Sequence, residues 1–314
     1  MNYDRYFRCG CGLLSLGLTV LTNVSAAEEP TQSQGTGSPW SVQASIGLEY
    51  DDNLNIQQLD VSTGQSDVAT VIDASLGYAS RWQEDYDIEA GYDFYQSLYQ
   101  DYTNYNLQSH SLYLSAAREF SGLDLGLNYR YTRSLLDNDD FLQIHSLQPT
   151  LGYSVRPNWY LNLAYSYQDK KFYQAPARDG SQQALAMDNY IVFNGNKSYI
   201  RLGYRLEGED TKGPEFDYLG HYFNAGMSTP FSLFSKEGKV DLSYQYYTKD
   251  YSNITASIGR KRRDHRHTLG AGITANLSKE VFANLKYEHI AARSNLPSAD
   301  FNENILTLSV GRSW

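Results

Sequence analysis

The residues of this 314-residue chain best suited to acid–base or metal chemistry are its six histidines: His110, His145, His221, His265, His267 and His289. Asp264, His265 and His267 come nearest to a ligand set. In an extended chain, however, successive side chains alternate faces, so the two histidines point one way and Asp264 the other. His221 and His267 carry the same parity as the apolar residues of their segments. None of the six sits in a nucleophile or acid–base motif. No Gly-rich phosphate loop, helix-borne metal motif or nucleic-acid module appears either. The only cysteines, Cys9 and Cys11, lie in the N-terminal leader described below, so no thiolate chemistry is expected of the mature chain. No enzymatic activity, metal or cofactor is expected, and a formal net charge of -10 argues against nucleic acid as a partner.

The remaining chemistry-bearing residues are charged side chains at alternate positions within apolar segments. The acidic set is Glu49, Asp51, Asp73, Asp87, Glu89, Asp93, Asp124, Glu207, Asp241 and Glu288, against the basic Arg130, Arg201, Arg205 and Lys286. If the apolar partners face lipid, these residues line a lumen that is acidic on balance. A water-filled pore with such a lining favours cations, because the low-dielectric wall focuses the field along the axis. The alternative is that these charges merely solvate a lumen filled by inward loops. One basic cluster, Arg260, Lys261, Arg262 and Arg263, falls in an expected outer loop. There it either meets phosphate groups of neighbouring lipopolysaccharide or a polyanionic cargo, or stays solvated.

Such a lining requires strands, and the sequence supplies them. Leu123, Leu125, Leu127, Tyr129 and Tyr131 alternate with Asp124, Gly126, Asn128 and Arg130. The same period of two recurs from Val42 to Tyr50, Trp159 to Tyr167, Ile200 to Leu206 and Val240 to Tyr246. Strands are expected near 41–51, 68–80, 86–98, 107–118, 123–133, 143–155 and 159–171. They continue near 188–194, 198–207, 218–228, 239–248, 264–276, 280–290 and 303–314, the 188–194 segment having the poorest alternation. Fourteen is an even number, as a bacterial membrane barrel requires. Such a barrel also reconciles a mean hydropathy of -0.53 with 28 Tyr, 12 Phe and 4 Trp, since only alternate residues meet lipid and aromatic rings gather at its two boundaries.

The expected connections alternate in length. Short turns are read at 119–122, 156–158, 195–197 and 277–280, where Pro157-Asn158 and Gly195-Asn196 suit tight hairpins. Longer loops are read at 52–67, 172–187, 208–217, 249–263 and 291–302, and a turn of unusual length at 229–238 contains Phe231 and Phe234. Short turns belong on the periplasmic side, which places both ends of the barrel there.

The two ends of the chain agree. Arg5 and Arg8 precede an apolar run from Leu13 to Leu21 and the small residues Val24, Ser25, Ala26 and Ala27. This is the order of a secretory leader, residues 1–26, cleaved after Ala26 or Ala27. Residues 27–39 read as a flexible periplasmic lead-in, and 40–314 as the barrel. Leu306, Leu308 and Val310 alternate with Thr307, Ser309 and Gly311 up to the terminal Trp314. An amphipathic last strand ending in an aromatic residue resembles the signal read by the outer-membrane barrel assembly machinery.

The expectation is therefore an all-β, transmembrane, antiparallel up-and-down β-barrel of about fourteen strands in a Gram-negative outer membrane. The first strand, Ser45 to Leu54, resembles the opening strand of several porin-like families. Tyr246 to Tyr251, Arg262 to Asp264, Tyr287 to Asn295 and Asn302 to Asn304 resemble the barrel domain of surface lipoprotein assembly modifiers. That resemblance implies fourteen strands and a helical tetratricopeptide-type domain ahead of the barrel, which residues 27–39 do not supply. The expected function is a porin-like channel for small hydrophilic solutes. Export or assembly of a surface lipoprotein or polysaccharide, or a structural or adhesive barrel with a plugged lumen, are the alternatives.

Overall fold

In the computed structural model, residues 38–83, 85–233 and 236–314 are described. The leader at 1–26 and most of the 27–39 lead-in lie outside them.

The strands are β1 (Trp40–Asp51), β2 (Asn55–Ile56), β3 (Val61–Ser62), β4 (Asp67–Trp82), β5 (Tyr86–Tyr99) and β6 (Leu107–Phe120). They continue as β7 (Leu123–Leu136), β8 (Asp139–Arg156), β9 (Trp159–Phe172), β10 (Gly180–Phe193) and β11 (Ser198–Thr211). The last five are β12 (Tyr218–Leu233), β13 (Lys236–Thr255), β14 (Arg260–Asn276), β15 (Val281–Ser294) and β16 (Phe301–Ser313). β2 and β3 form a small hairpin of their own. The other fourteen form one closed antiparallel barrel in chain order, with β1 pairing both β4 and β16. The β1–β16 seam sets Leu48 opposite Leu308 and Ile46 opposite Val310, so the C-terminal strand closes the ring with its apolar face in register. Closure matters because hydrocarbon offers no partner for a free strand edge.

Burial runs opposite to that of a soluble protein. Leu48 is 60% exposed on the outer surface, whereas the adjacent Glu49, pointing inward, is 2% exposed. Leu112, Leu185, Leu202, Leu242, Leu269 and Leu308 are exposed in the same way. No helix among the described residues is long and apolar enough to cross a membrane; the crossing is made by strands.

Several expected loops are in fact strand. β10 begins at Gly180, within the loop expected at 172–187, and from Asp188 on it pairs with β11 as far as Phe193 and with β9 as far as Ile191. The loops expected at 208–217, 249–263 and 291–302 shrink to the short connections after Thr211, Thr255 and Ser294. The long turn at 229–238 is likewise mostly ladder, Thr229 pairing with Val240 and Phe231 with Gly238. Turn chemistry explains the tight hairpins. Ser121 and Gly122 take φ of 55° and 79°, and Asp137 and Asn138 take 52° and 68°. Two consecutive positive φ values match the twist of the flanking strands.

Candidate functional site: the lumen and its strap

The inward face carries the charged residues expected to line the lumen. Glu49, Asp51, Asp73, Asp87, Glu89, Asp93, Asp124, Glu207, Asp241, Glu288, Arg130, Arg201, Arg205 and Lys286 all share the inward register of their strands. The structure does not leave them as a uniform acidic lining. Arg130 Nη1 lies 2.7 Å from Asp93 Oδ2, and Arg201 Nε lies 2.8 Å from Asp188 Oδ1. Asp124 accepts from the Tyr160 hydroxyl at 2.9 Å, and Asp87 is paired with Arg81 at the periplasmic rim.

The tightest network surrounds Arg205 and Glu207, an ion pair in which both side chains are 2% exposed. Glu207 Oε1 also accepts from the hydroxyls of Tyr218 at 2.5 Å and Tyr222 at 3.0 Å, and from Gln182 Nε2 at 2.8 Å. Gln182 Oε1 in turn accepts from Arg205 at 3.2 Å. Replacing Arg205 by Met leaves a buried carboxylate without its cation, so the barrel should lose about 3–5 kcal/mol of stability. Denaturant unfolding in detergent reads that loss; Arg312→Met, which breaks an exposed pair with Glu280, is the reference that should change little.

Charge is uneven around the ring. On β9 to β14 the cations Lys170, Arg201, Arg205, Lys249, Arg262 and Arg266 are nearly matched by the carboxylates Asp188, Glu207, Glu209, Asp241 and Asp264. Glu49, Asp51, Asp73, Glu89, Glu288 and Glu303 lie on β1, β4, β5, β15 and β16, and carboxylates exceed basic groups there. Among the described residues, no group of three His, Cys, Asp or Glu side chains is arranged to hold a metal ion.

The segment between β1 and β4, residues 52–66, folds into the outer half of the lumen and straps across it. Leu54 packs on Ala69, Val71 and Tyr99. Ile56 and Leu59 pack on a cluster of inward residues from β6 to β9, namely Leu107, Leu136, Phe141, Leu142, Ile144 and Phe172. The far end is held by charge. Asp60 Oδ1 and Oδ2 accept from Arg262 Nη2 at 2.8 Å and Nη1 at 2.7 Å, a two-pronged bond to β14. Oδ2 also accepts from Arg178, in the β9–β10 connection, at 2.5 Å. Arg266 donates to Gln57. Asp60 takes a left-handed backbone, φ 57°, that turns its carboxylate toward these cations. Burial would raise the Asp60 carboxyl, but Arg262 and then Arg178 hold it well below the usual carboxylate range.

Arg262 therefore does not belong to an outer-loop cluster. The four basic residues open β14, where the strand period splits them: Arg262 points inward, with 4% of its side chain exposed, whereas that of Arg263 faces outward and is 67% exposed. The inward Arg266, Lys170, Glu209, Asp188, Asp264 and Glu303 are absent from the lumen lining expected from the sequence. Glu209 falls in a segment assigned to a loop, but Lys170, Asp188, Asp264, Arg266 and Glu303 lie in expected strands and were legible from parity alone.

A sequence profile of the surface lipoprotein assembly modifier family matches residues 40–314. No curated protein matches the chain. Among solved structures, an anion-selective porin from Comamonas acidovorans superposes with a TM-score of 0.51 at 10% identity, covering 88% of this chain and 98% of the porin. OccAB3 of Acinetobacter baumannii gives 0.48 at 8% identity over 88% and 99% of the two chains. OpdK of Pseudomonas aeruginosa, solved with vanillate, gives 0.47 at 10% identity over 88% and 99%. At such identity the likeness to the Comamonas porin is one of fold: an outer-membrane, porin-like barrel.

Proposed function

We propose that this chain, which belongs to the surface lipoprotein assembly modifier family, forms a narrowed channel through the outer membrane for small hydrophilic solutes, with a preference for cations. The observation that carries the reading is the strap: a loop held inside a closed barrel by Asp60, Arg262 and Arg178 narrows the lumen. Along the rest of the axis, inward side chains such as Asp73 and Asp93 near mid-height and Glu89 and Arg201 toward the periplasmic end remain partly exposed, as in a water-filled vestibule. The excess of carboxylates on β1, β4, β5, β15 and β16 favours cations by focusing a negative potential across a low-dielectric wall.

The family description favours a second reading, in which the barrel takes part in assembling a surface lipoprotein. A polypeptide crossing this lumen would have to displace the strap, and such a barrel would stay silent without its partner.

Single-channel recording of the refolded chain in a planar bilayer under a salt gradient tests the proposal. The expected result is small, steady conductance steps with a reversal potential of cation-selective sign. A folded but silent barrel would overturn conduction and leave the assembly reading.

A further inference from the structure

All six histidines face outward, toward lipid, in the outer half of the barrel. Five make the same diagonal bond: Nδ1 lies 2.7–3.1 Å from a tyrosine hydroxyl on the neighbouring strand, as in Tyr246 with His265 and Tyr244 with His267. These rings lie near the boundary above which most outward residues are polar, Leu219 and Ile254 being exceptions. On β14 and β15 the outward residues at and above that boundary include four basic ones, Lys261, Arg263, His265 and Arg293, beside Ala291. The outward residues on the periplasmic side of it, Leu269, Ile273, Leu285 and Tyr287, are apolar or aromatic.

The register brings the basic groups together. His265 sits directly opposite Arg293, and the Arg263 carbonyl accepts from Asn295, which places Arg263 and Arg293 on one diagonal. The two arginines so placed repel unless anions lie beside them. The two guanidiniums meet different partners within the protein. Asp250 on β13, the carboxylate facing Arg263, accepts from its Nε at 2.6 Å in an ion pair exposed on both sides, which is weak in water and open to a competing anion. Arg293 is fixed by three neutral oxygens, the carbonyls of Ala292 and Phe301 and the amide oxygen of Asn302, and so keeps its charge.

We infer that this face of β14 and β15 is a docking surface for the phosphorylated headgroup of an outer-leaflet glycolipid. Arg263 and Arg293 grip phosphate, Lys261 and His265 flank it, and the apolar column below meets the acyl chains. Charge complementarity selects this occupant. A chain of net charge -10 is repelled overall by an anionic leaflet, so a fixed basic patch at headgroup height gives it a defined attachment. Arg262 takes no part, because it points into the lumen.

The test is native mass spectrometry of the intact barrel mixed with bis-phosphorylated lipid A, dephosphorylated lipid A or phosphatidylglycerol. Bis-phosphorylated lipid A should remain bound to the unaltered protein, and R263Q/R293Q should retain about tenfold less. The control R133Q removes an outward arginine on β7 that bonds Asp140, and should retain as much as the unaltered protein. Should the double variant fail to fold, R263Q alone, at an exposed position, should still lower retention. Equal retention of the dephosphorylated lipid, or no loss in the variants, would overturn the assignment. Equal retention of phosphatidylglycerol would overturn the glycolipid and leave a site for any anionic lipid.

Discussion

Replacing residues 52–66 by an Asn-Gly turn is expected to raise the single-channel conductance several-fold. The ends are already in place for it, because Asp51 and Asp67 are cross-strand partners and a two-residue turn joins such a pair without strain. The deletion removes Leu54, Ile56 and Leu59 from the lumen and uncovers Leu107, Leu136 and Phe172. It therefore costs stability, roughly 1.5–3 kcal/mol for each fully buried side chain lost. The barrel should survive that loss, since closure rests on fourteen paired strands and not on the strap. Mobility on a gel before and after heating checks folding, and bilayer recording reads the pore. Conductance equal to that of the intact chain would place the narrowest point elsewhere. A rise with unchanged cation preference would show that the strap sets width while the strand carboxylates set sign.

The strand wall was legible because a membrane barrel writes its two faces in alternation. Leu48 beside Glu49, and Leu206 between Arg205 and Glu207, are readable without coordinates. The outer strand ends were not legible, for a physical reason. Above the lipid boundary an outward side chain gains nothing by being apolar, so Gln183, Asp210, Asp250, Arg263 and Arg293 stand where leucines stand lower down. There the pattern becomes polar on both faces while the backbone ladder continues. Segments such as 172–187 and 249–263 therefore read as loops, and the inward Gln182 and Lys249 were lost with them. The strap was invisible for another reason: its anchoring pair, Asp60 and Arg262, is 202 residues apart and carries no local signal.

Two adjacent arginines turn that lesson into an experiment. Arg262→Met removes the cation shared by Asp60 and Asp264 and leaves two carboxylates in the lumen wall, so it should cost about 3–5 kcal/mol and loosen the strap at neutral pH. Arg263→Met, one residue on, breaks only an exposed pair with Asp250 and should change stability by less than about 0.5 kcal/mol. The pH dependence separates the clamp from general acid damage. Because the Asp60 carboxyl is held below its ordinary value, its contribution is complete above the usual carboxylate value, about 4, and is lost only as pH falls toward the depressed one. The intact channel should keep its small conductance from pH 7 down to about 4. In Arg262→Met the burial that raises the carboxyl is opposed by Arg178 alone, so Asp60 takes up its proton at higher pH and conductance should climb within that same interval. Parallel conductance curves for the two proteins would mean that Asp60 does not hold the strap, whatever else acidity does to the barrel.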